Sequence, residues 1–371
     1  MRTDEGTCYP EIDTPAVLVD LDTLERNLSA MASRAHRAGV KLRPHTKTHK
    51  TTWIACRQLE AGATGLTVAK LGEAEVMLAA GLRDLLVAYP IVGQAKLQRL
   101  RAVAEQADPI VSLDDVAVAE GVARVAREVG RRLRVYVDVD SGLGRLGRPP
   151  GGPTADVVLE VARLEGLEVI GVMTHAGHAY QARDSAELRR IALREAQALV
   201  DTAAVLERRG FALQELSIGS TPTAHYIEEV ARTFPVTEMR PGTYVFNDVN
   251  QLGLGVAQER DCALTVLATV ISRPAPTHMV IDAGSKTLGA DAGVVPGYGR
   301  LKGHAQGMLL RLSEEHGVVE IPPDARWAVG DQVEIIPNHA CIPPNLTDEL
   351  VGTRGGVVER RIPVEGRGKN H

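Results

Sequence analysis

The chain has 371 residues, of which 44% are hydrophobic and 24% charged, and its formal net charge is −5. This composition is that of an ordinary globular protein, and the length predicts one large domain with a smaller one. The acidic balance argues against a nucleic-acid-binding protein, which would carry a basic face. No apolar stretch reaches the length of a membrane span, so we expect no membrane partner.

The first six residues are polar and do not match a secretory signal peptide. The four cysteines, Cys8, Cys56, Cys262 and Cys341, are too few and too scattered to predict a disulfide framework. We therefore expect a protein of the reducing cytoplasm, where a cysteine serves more readily as a ligand or a nucleophile.

The first two-thirds of the chain alternate between short β-branched runs and amphipathic helical segments such as Leu24–Ala38 and Ser185–Arg209. For the first helix, Asp22-Thr23 is a plausible cap and Gly39 a stop. Eight or nine such units predict a (β/α)8 TIM-type barrel over residues 14–250, because no glycine-rich dinucleotide turn follows the first run. The predicted strands are Ala16–Asp20, Lys41–Pro44, Gly65–Val68, Leu85–Ala88, Pro109–Leu113, Arg134–Val139, Val169–Met173, Leu216–Ile218 and Glu238–Arg240.

The pattern changes near Leu252, after which short strands are separated by glycine and proline turns with little helical periodicity. This predicts a C-terminal antiparallel β domain over residues 251–371, which residues 1–13 join. The predicted strands are Leu264–Ile271, Met279–Asp282, Gly317–Ile321, Gln332–Ile336 and Gly355–Arg360.

A basic segment, Arg43-Pro44-His45-Thr46-Lys47-Thr48-His49-Lys50, follows the strand predicted at Lys41. A lysine amine that is desolvated and crowded by cations loses its proton more easily, and it can then bond covalently to an aldehyde. The alternative is a basic strand end that faces solvent.

Other predicted strand ends are also polar, and in a barrel the carboxyl ends of the strands carry the chemistry. Gly219-Ser220-Thr221 and Gly242-Thr243-Tyr244 resemble phosphate cradles, because small residues let backbone N–H groups approach an anion and hydroxyls add donors. Ordinary loops have the same composition, but the last two strands are the usual phosphate position of a barrel. The remaining polar ends are Asp138–Arg145 and Thr174–Tyr180.

In the β domain, His339 and Cys341 are two residues apart. On a strand such residues point the same way, so an imidazole and a thiolate can face one ion. This pair suits Zn2+ and leaves coordination positions open. A buried cysteine beside a structural histidine is the alternative, since a complete zinc signature has more ligands.

Together these segments resemble the D-serine dehydratase/D-threonine aldolase family, which are pyridoxal-phosphate enzymes of fold type III with an alanine-racemase-like barrel. The resemblance runs from about residue 13 to about residue 346. Its segments are Asp13–Ala16, Arg43–Lys50, Thr174–His178, Gly219–Thr223, Arg240–Tyr244 and Pro337–Cys341.

The resemblance implies that Lys47 carries pyridoxal 5'-phosphate and that His339 and Cys341 hold a divalent metal, with zinc expected and manganese or cobalt as alternatives. It also implies a homodimer and an arginine, Arg145, near the pyridine ring. We take Lys47, Arg145 and His175 as the candidate catalytic residues. The candidate cofactor-binding residues are Lys47, His45, Tyr180, Gly219, Ser220, Thr221, Gly242, Thr243 and Tyr244.

The family includes dehydratases and aldolases, and a cysteine two residues after the histidine is similar to the dehydratases. We therefore expect a lyase that removes water from D-3-hydroxy amino acids to give a 2-oxo acid and ammonia. An aldolase that splits D-threonine into glycine and an aldehyde is the first alternative. An amino-acid racemase and a non-catalytic pyridoxal-phosphate carrier follow, although residues 252–371 offer a racemase only one tyrosine, Tyr298.

Overall fold

The computed structural model describes residues 9–291 and 293–371, and these divide into two compact units. The first, called here the barrel unit, comprises Ala30–Lys47, Thr52–Gly242 and Lys369–His371. The second, called the β unit, comprises residues 9–29, Thr48–Thr51 and 243–368. Residues 1–8 of the predicted 1–13 extension, which include Cys8, lie outside the described residues.

The chain begins with strand β1 (Ala16–Asp20) and helix α1 (Leu21–Ala38). The true cap of α1 is Asp20, whose Oδ1 accepts a hydrogen bond from the Thr23 N–H at 2.7 Å, so the predicted cap at Asp22-Thr23 is wrong. Gly39 ends the helix as predicted, with the left-handed φ of 67° that favours glycine.

The barrel unit alternates strands and helices. Its strands are β2 (Lys41–Leu42), β3 (Leu66–Val68), β4 (Leu85–Val87), β5 (Ile110–Leu113), β6 (Leu133–Asp138), β7 (Leu167–Met173), β8 (Glu215–Ile218) and β9 (Glu238–Met239). Its later helices are α2 (Thr52–Glu60), α3 (Leu71–Ala79), α4 (Gln94–Gln106), α5 (Val116–Glu128), α6 (Gly152–Val161), α7 (Ser185–Arg208), α8 (Thr221–Ala224) and α9 (Ile227–Thr233).

These eight strands of the described chain are all parallel and lie in the order β2-β9-β8-β7-β6-β5-β4-β3. The ring closes just beyond β2, where His45 forms a bridge to Thr67 and the Thr67 N–H donates to Pro44 O at 2.8 Å. Short buried runs such as β4 and β5 are typical of barrel strands, which are covered on both faces. The carboxyl ends of all eight strands therefore meet at one rim.

The β unit contains most of the remaining elements. Its strands besides β1 are β10 (Leu264–Ala275), β11 (His278–Ile281), β12 (Gly299–Leu301), β13 (Met308–Leu312), β14 (Gly317–Glu320), β15 (Gln332–Pro337), β16 (Glu349–Arg354) and β17 (Val357–Pro363). Its short helices are α10 (Val249–Gly253), α11 (Ser285–Leu288) and α12 (Pro343–Leu346).

The nine strands of this sheet lie in the order β11-β14-β13-β12-β15-β10-β1-β16-β17. Strand β11 also pairs with β10, so the six strands from β10 to β15 close into a small antiparallel barrel. Tyr9 and Ile12 pack in one buried cluster with Leu18, Leu267 and Val351. The described residues of the N-terminal segment thus belong to the β unit.

The prediction that Ala16–Asp20 is a barrel strand is wrong. Strand β1 pairs antiparallel with β10 and parallel with β16, both of them strands of the β unit. A buried β-branched run followed by a helix looks the same in either sheet, and its hydrophobic pattern does not specify its partner. Across residues 9–291 and 293–371, no helix is long and apolar enough to cross a membrane.

Candidate active site

Lys47 lies on a single turn of 3-10 helix, Thr46–Thr48, at the carboxyl end of β2. The turn is anchored on both sides: the His45 N–H donates to Pro241 O at 2.9 Å, and Thr46 Oγ1 donates to Thr67 O at 3.1 Å. The Lys47 N–H points to Nδ1 of His45 at 3.4 Å, and both side chains are half-buried. The backbone thus places the candidate cofactor lysine at the rim where barrel chemistry occurs.

His175 follows β7 at the same rim of the barrel unit, and its Nδ1 lies 2.6 Å from the carbonyl oxygen of Gly219. Because a carbonyl oxygen only accepts, Nδ1 carries the proton and Nε2 keeps its lone pair. Burial lowers the pKa of His175 to about 3, and the positive charges of Lys47 and Arg145 act in the same direction. The structure therefore holds His175 as a neutral imidazole among cations.

The Gly219–Thr221 turn connects β8 to α8. A Cβ added at Gly219 would lie 2.8 Å from the backbone nitrogen of Arg240, so glycine is required by this close approach. The Ser220 hydroxyl accepts from the Thr223 N–H at 3.3 Å and lies 2.9 Å from Thr223 Oγ1. Because the Ser220 hydroxyl caps α8, the turn would hold an anion mainly through its backbone N–H groups.

The second predicted cradle is divided between the two units. Gly242 belongs to the barrel unit, whereas Thr243 and Tyr244 begin the next segment of the β unit and are buried there. Within the β unit, Thr243 Oγ1 lies 3.7 Å from Sγ of Cys341. The Thr243 hydroxyl therefore lies beside the candidate metal ligands.

Arg145 and Tyr180 lie in loops that follow β6 and β7. Arg145 is exposed, and its loop is shaped by Asp140, whose Oδ1 accepts from the N–H groups of Gly142 and Gly144 at 2.9 and 3.0 Å. The charge of Arg145 adds to the burial and to the charge of Lys47 that lower the pKa of His175. Tyr180 is half-buried on the 3-10 turn Gly177–Gln181.

Sequence reasoning did not predict a role for the buried ionisable side chains beneath this rim. Arg240 donates to Thr174 O at 2.5 Å and also to the hydroxyl of Ser217. Asp138, at the end of β6, has its pKa raised to about 7 by burial, and the nearby Arg240 opposes that shift. Asp138 and Arg240 both lie in segments that the sequence marks as polar strand ends. That position was the signal that could have identified them as buried ionisable residues of the site.

The candidate metal pair lies in a turn after β15 and not on a strand, so the predicted strand alternation is wrong. The turn is closed by the Ile342 N–H, which donates to His339 O at 3.3 Å. The His339 and Cys341 side chains are nevertheless close enough to interact directly. Interaction with the Cys341 side chain is the largest cause of a rise in the pKa of His339 to about 9, and Asp248 and Asp291 act in the same direction.

Two further contacts fix this turn within the β unit. Asp248, fully buried, accepts from the Ala340 N–H through Oδ2 at 3.0 Å, which holds the peptide between His339 and Cys341. The Cys341 thiol donates to Thr48 Oγ1 at 3.2 Å. These contacts make the imidazole and the thiol a rigid neighbouring pair.

The donor set fits a divalent metal of borderline softness that keeps open positions. The pair supplies one nitrogen and one sulfur, and within the described part of the chain no group of three or more His, Cys, Asp and Glu side chains could hold a metal ion. The rim residues fit pyridoxal phosphate in the same sense: a lysine amine, a neutral imidazole, an exposed arginine and a tight glycine turn lie at one edge of the barrel unit.

Comparison with known proteins identifies the family of this chain. An alanine racemase N-terminal domain matches residues 19–249, and a serine dehydratase domain matches residues 263–353. D-threo-3-hydroxyaspartate dehydratase of Delftia sp. (strain HT23) is 35% identical over 351 residues, with 89% of this chain and 91% of that protein covered. This chain belongs to the D-serine dehydratase/D-threonine aldolase family.

Solved structures of the family agree along almost the whole chain. D-threonine aldolase from Filomicrobium marinum has a TM-score of 0.90 at 31% identity, with 99% of each chain covered. A mutant of D-threo-3-hydroxyaspartate dehydratase in the metal-free form has a TM-score of 0.87 at 32% identity, with 95% of this chain and 97% of that chain covered. Membership of this family confirms the predicted fold, a barrel followed by a β domain. It also confirms the prediction that the protein is a pyridoxal-phosphate-dependent lyase.

Proposed function

We propose that this protein removes water from D-3-hydroxy amino acids, with pyridoxal phosphate held by Lys47 and a divalent metal held by His339 and Cys341. The observation that carries the proposal is the single turn that presents the His339 imidazole and the Cys341 thiol, held by contacts with Asp248 and Thr48. The net reaction takes one D-3-hydroxy amino acid to a 2-oxo acid and ammonia, because the water lost first is returned when the enamine product hydrolyses.

Pyridoxal phosphate, when bound, supplies an electron sink that stabilises negative charge at the substrate Cα. Lys47 has two roles in the proposal: its amine holds the cofactor, and once released it takes the proton from Cα. His175 stays neutral and presents the lone pair of Nε2, so it accepts a hydrogen bond and does not add another positive charge. The backbone of Gly219–Thr221 and Gly242 binds the phosphate group.

A metal ion at His339 and Cys341 supplies a Lewis acid for the β-hydroxyl, which is a poor leaving group near neutral pH. The protein residues hold this ion in a fixed position, since Asp248 and Thr48 fix the turn that carries both ligands. We propose zinc as the ion, because one nitrogen and one sulfur ligand suit it. A cytoplasmic homodimer completes the proposal.

The first alternative is the D-threonine aldolase reaction, which uses the same residues and breaks the Cα–Cβ bond. Relatives of both kinds resemble this chain, so the fold does not separate the two reactions. Cys341 favours dehydration, since the family resemblance associates an acidic ligand at this position with aldolases. A racemase has less support, because Tyr298 is the only tyrosine of residues 252–371.

The test is incubation of the purified holoenzyme with D-serine, D-threonine and D-3-hydroxyaspartate in parallel. Measurement of 2-oxo acid, ammonia, glycine and aldehyde in each reaction separates the two lyases. We expect 2-oxo acid and ammonia in equal amounts from at least one of the three substrates. Glycine and aldehyde without ammonia would assign the aldolase reaction, and formation of the L-enantiomer alone would assign a racemase.

A further inference from the structure

We infer that Glu195 is a positioning residue that fixes the His175 imidazole and the Gly219 turn against each other, through two backbone hydrogen bonds to one carboxylate oxygen. This inference deepens the proposed function and rests on it. Glu195 lies in the middle of helix α7 in the barrel unit. It is distant in sequence from the ends of β7 and β8, and no predicted motif includes it.

Glu195 occupies a core-facing position of α7. It is fully buried on the face that also carries Leu188, Ala192 and Leu199. An apolar residue is the usual choice there, because burying a carboxyl group costs free energy unless hydrogen bonds compensate. The hydrogen bonds that the Glu195 carboxyl group makes must therefore offset the cost of its burial.

Those contacts reach two different strand ends. Oε1 of Glu195 accepts from the Ala176 N–H at 3.1 Å and from the Gly219 N–H at 3.0 Å. Ala176 follows β7 and Gly219 follows β8, so one oxygen atom sets the distance between the two loops. The other carboxyl oxygen, Oε2, is buried and has no hydrogen-bond partner among the described residues.

His175 closes this arrangement from the other side. Its Nδ1–H donates to the carbonyl oxygen of Gly219 at 2.6 Å, while Glu195 holds the N–H of that same residue. Glu195 also holds the N–H of the residue that follows His175. The Gly219 residue is thus fixed at both of its polar backbone atoms, and the imidazole is fixed in the tautomer that leaves Nε2 unprotonated.

The role requires an acceptor and not a negative charge. Burial raises the pKa of Glu195, which agrees with a group placed beneath a proposed phosphate site, where a charge would be repelled. An amide oxygen accepts the same two hydrogen bonds. Glu195→Gln is therefore the conservative variant. Glu195→Leu has a side chain of similar size but no oxygen to accept either hydrogen bond.

The matched control is Thr202→Val on the same helix. Thr202 is fully buried, its hydroxyl accepts from the Gly151 N–H at 2.9 Å, and it donates to Ala198 O at 2.9 Å. This variant also leaves a half-buried loop N–H without its partner, but that loop precedes α6 and does not carry His175. A general loss of packing would affect both helix positions alike.

The experiment measures three quantities in each variant: the dissociation constant of pyridoxal phosphate, the 15N chemical shifts of the His175 imidazole with and without cofactor, and the melting temperature. For Glu195→Leu we expect a dissociation constant raised about tenfold or more and loss of the protonated-Nδ1 signature. Glu195→Gln should restore both values to within about threefold of the wild type. Thr202→Val should lower the melting temperature and leave the other two quantities unchanged.

Unchanged cofactor affinity and an unchanged imidazole spectrum in Glu195→Leu would overturn the inference, as would an equal rise of the dissociation constant in Thr202→Val. If Glu195→Leu fails to fold, Glu195→Asp serves, because the shorter side chain cannot reach both N–H groups and should show the same changes in smaller measure. None of these readouts depends on turnover. A wild-type protein without lyase activity would refute the proposed function and leave this test intact.

Discussion

The Cys341 thiol donates a hydrogen bond to the Thr48 hydroxyl at 3.2 Å, and Thr48 is the residue that follows Lys47 in the sequence. The contact lies within the β unit, to which Thr48 belongs. One side chain that we propose as a metal ligand is thus hydrogen-bonded to the first residue of the Thr48–Thr51 segment of the β unit. Such second-sphere contacts orient a ligand and tune its affinity.

Thr48→Val should weaken metal binding, because the Cys341 thiol loses the hydroxyl that orients it. We expect the dissociation constant for zinc to rise by about tenfold, with cofactor retained on the lysine. The measurement is a competition titration with a chromophoric chelator. Thr265→Val, which removes another hydroxyl of the β unit, bonded to Glu334 at 2.7 Å, should leave zinc affinity unchanged. Equal affinities in all three proteins would contradict the prediction.

Lys47 should carry the cofactor. The purified holoenzyme should absorb visible light, and borohydride reduction followed by peptide mass mapping should place the added mass on Lys47. Lys47→Ala should lose both the adduct and turnover, since the amine holds the cofactor and takes the α-proton. Lys70→Ala, which removes a lysine stacked on the Tyr89 ring at 3.5 Å, is the control. An adduct mapped to Lys50 or Lys70 would refute the assignment.

Removal of the metal should stop dehydration and leave the bound cofactor in place. A chelator should abolish turnover of D-serine, zinc or another divalent ion should restore it, and His339→Ala or Cys341→Ala should match the chelated enzyme. A substrate with a better leaving group, β-chloro-D-alanine, should depend far less on metal. Cys56→Ala, which changes a half-buried cysteine of the barrel unit, should behave as wild type. Equal losses on both substrates would indicate a structural ion.

His175 should make the apoprotein less stable in acid. Its pKa is near 6.5 when unfolded and about 3 when folded, so between these values the unfolded state binds a proton that the folded state does not. The free energy of unfolding therefore falls as the pH drops from about 6.5 to about 3, by up to about 1.4 kcal/mol per pH unit from this group. Urea titrations across this range should show a shallower slope in His175→Gln.

Asp138 should have the opposite effect. Burial raises its pKa from 3.8 to about 7, so the folded state holds the extra proton and its stability falls as the pH rises from about 4 to about 7. Asp138→Asn should increase the free energy of unfolding at pH 8 by about 1–3 kcal/mol. Asp140→Asn is the control, since backbone N–H groups stabilise that carboxylate and lower its pKa. A destabilised Asp138→Asn protein would contradict this account.

The barrel strands were predictable because a strand buried on both faces is a continuous apolar run, as in Leu85–Val87 and Ile110–Leu113. Strand partners were not predictable, and β1 was assigned to the wrong sheet for this reason. Three strands of the β unit were missed, including Met308–Leu312, which has no β-branched residue. Pattern alone did not distinguish it from a loop.

The residues of the candidate site could be named from the sequence where a short motif carries the proposed chemistry, as at Lys47 and at the pair of His339 and Cys341. The geometry of that pair was not predictable, because a turn brings the two side chains together and the predicted strand does not exist there. Glu195 was missed because a single glutamate in an amphipathic helix is usually exposed. Its position on the apolar face of α7 was the signal that could have revealed it.

The pairing of β1 has a consequence for synthesis of the chain. Its partners β10 and β16 begin at residues 264 and 349, so about 245 residues must follow β1 before its first neighbour is made. At translation rates of roughly 5–20 residues per second, this strand waits on the order of 12–50 seconds with both edges unpaired. In the barrel unit the longest such interval is that of β2, whose partner β9 begins about 195 residues later. The N-terminal strand is therefore the segment of a nascent chain most in need of protection from aggregation.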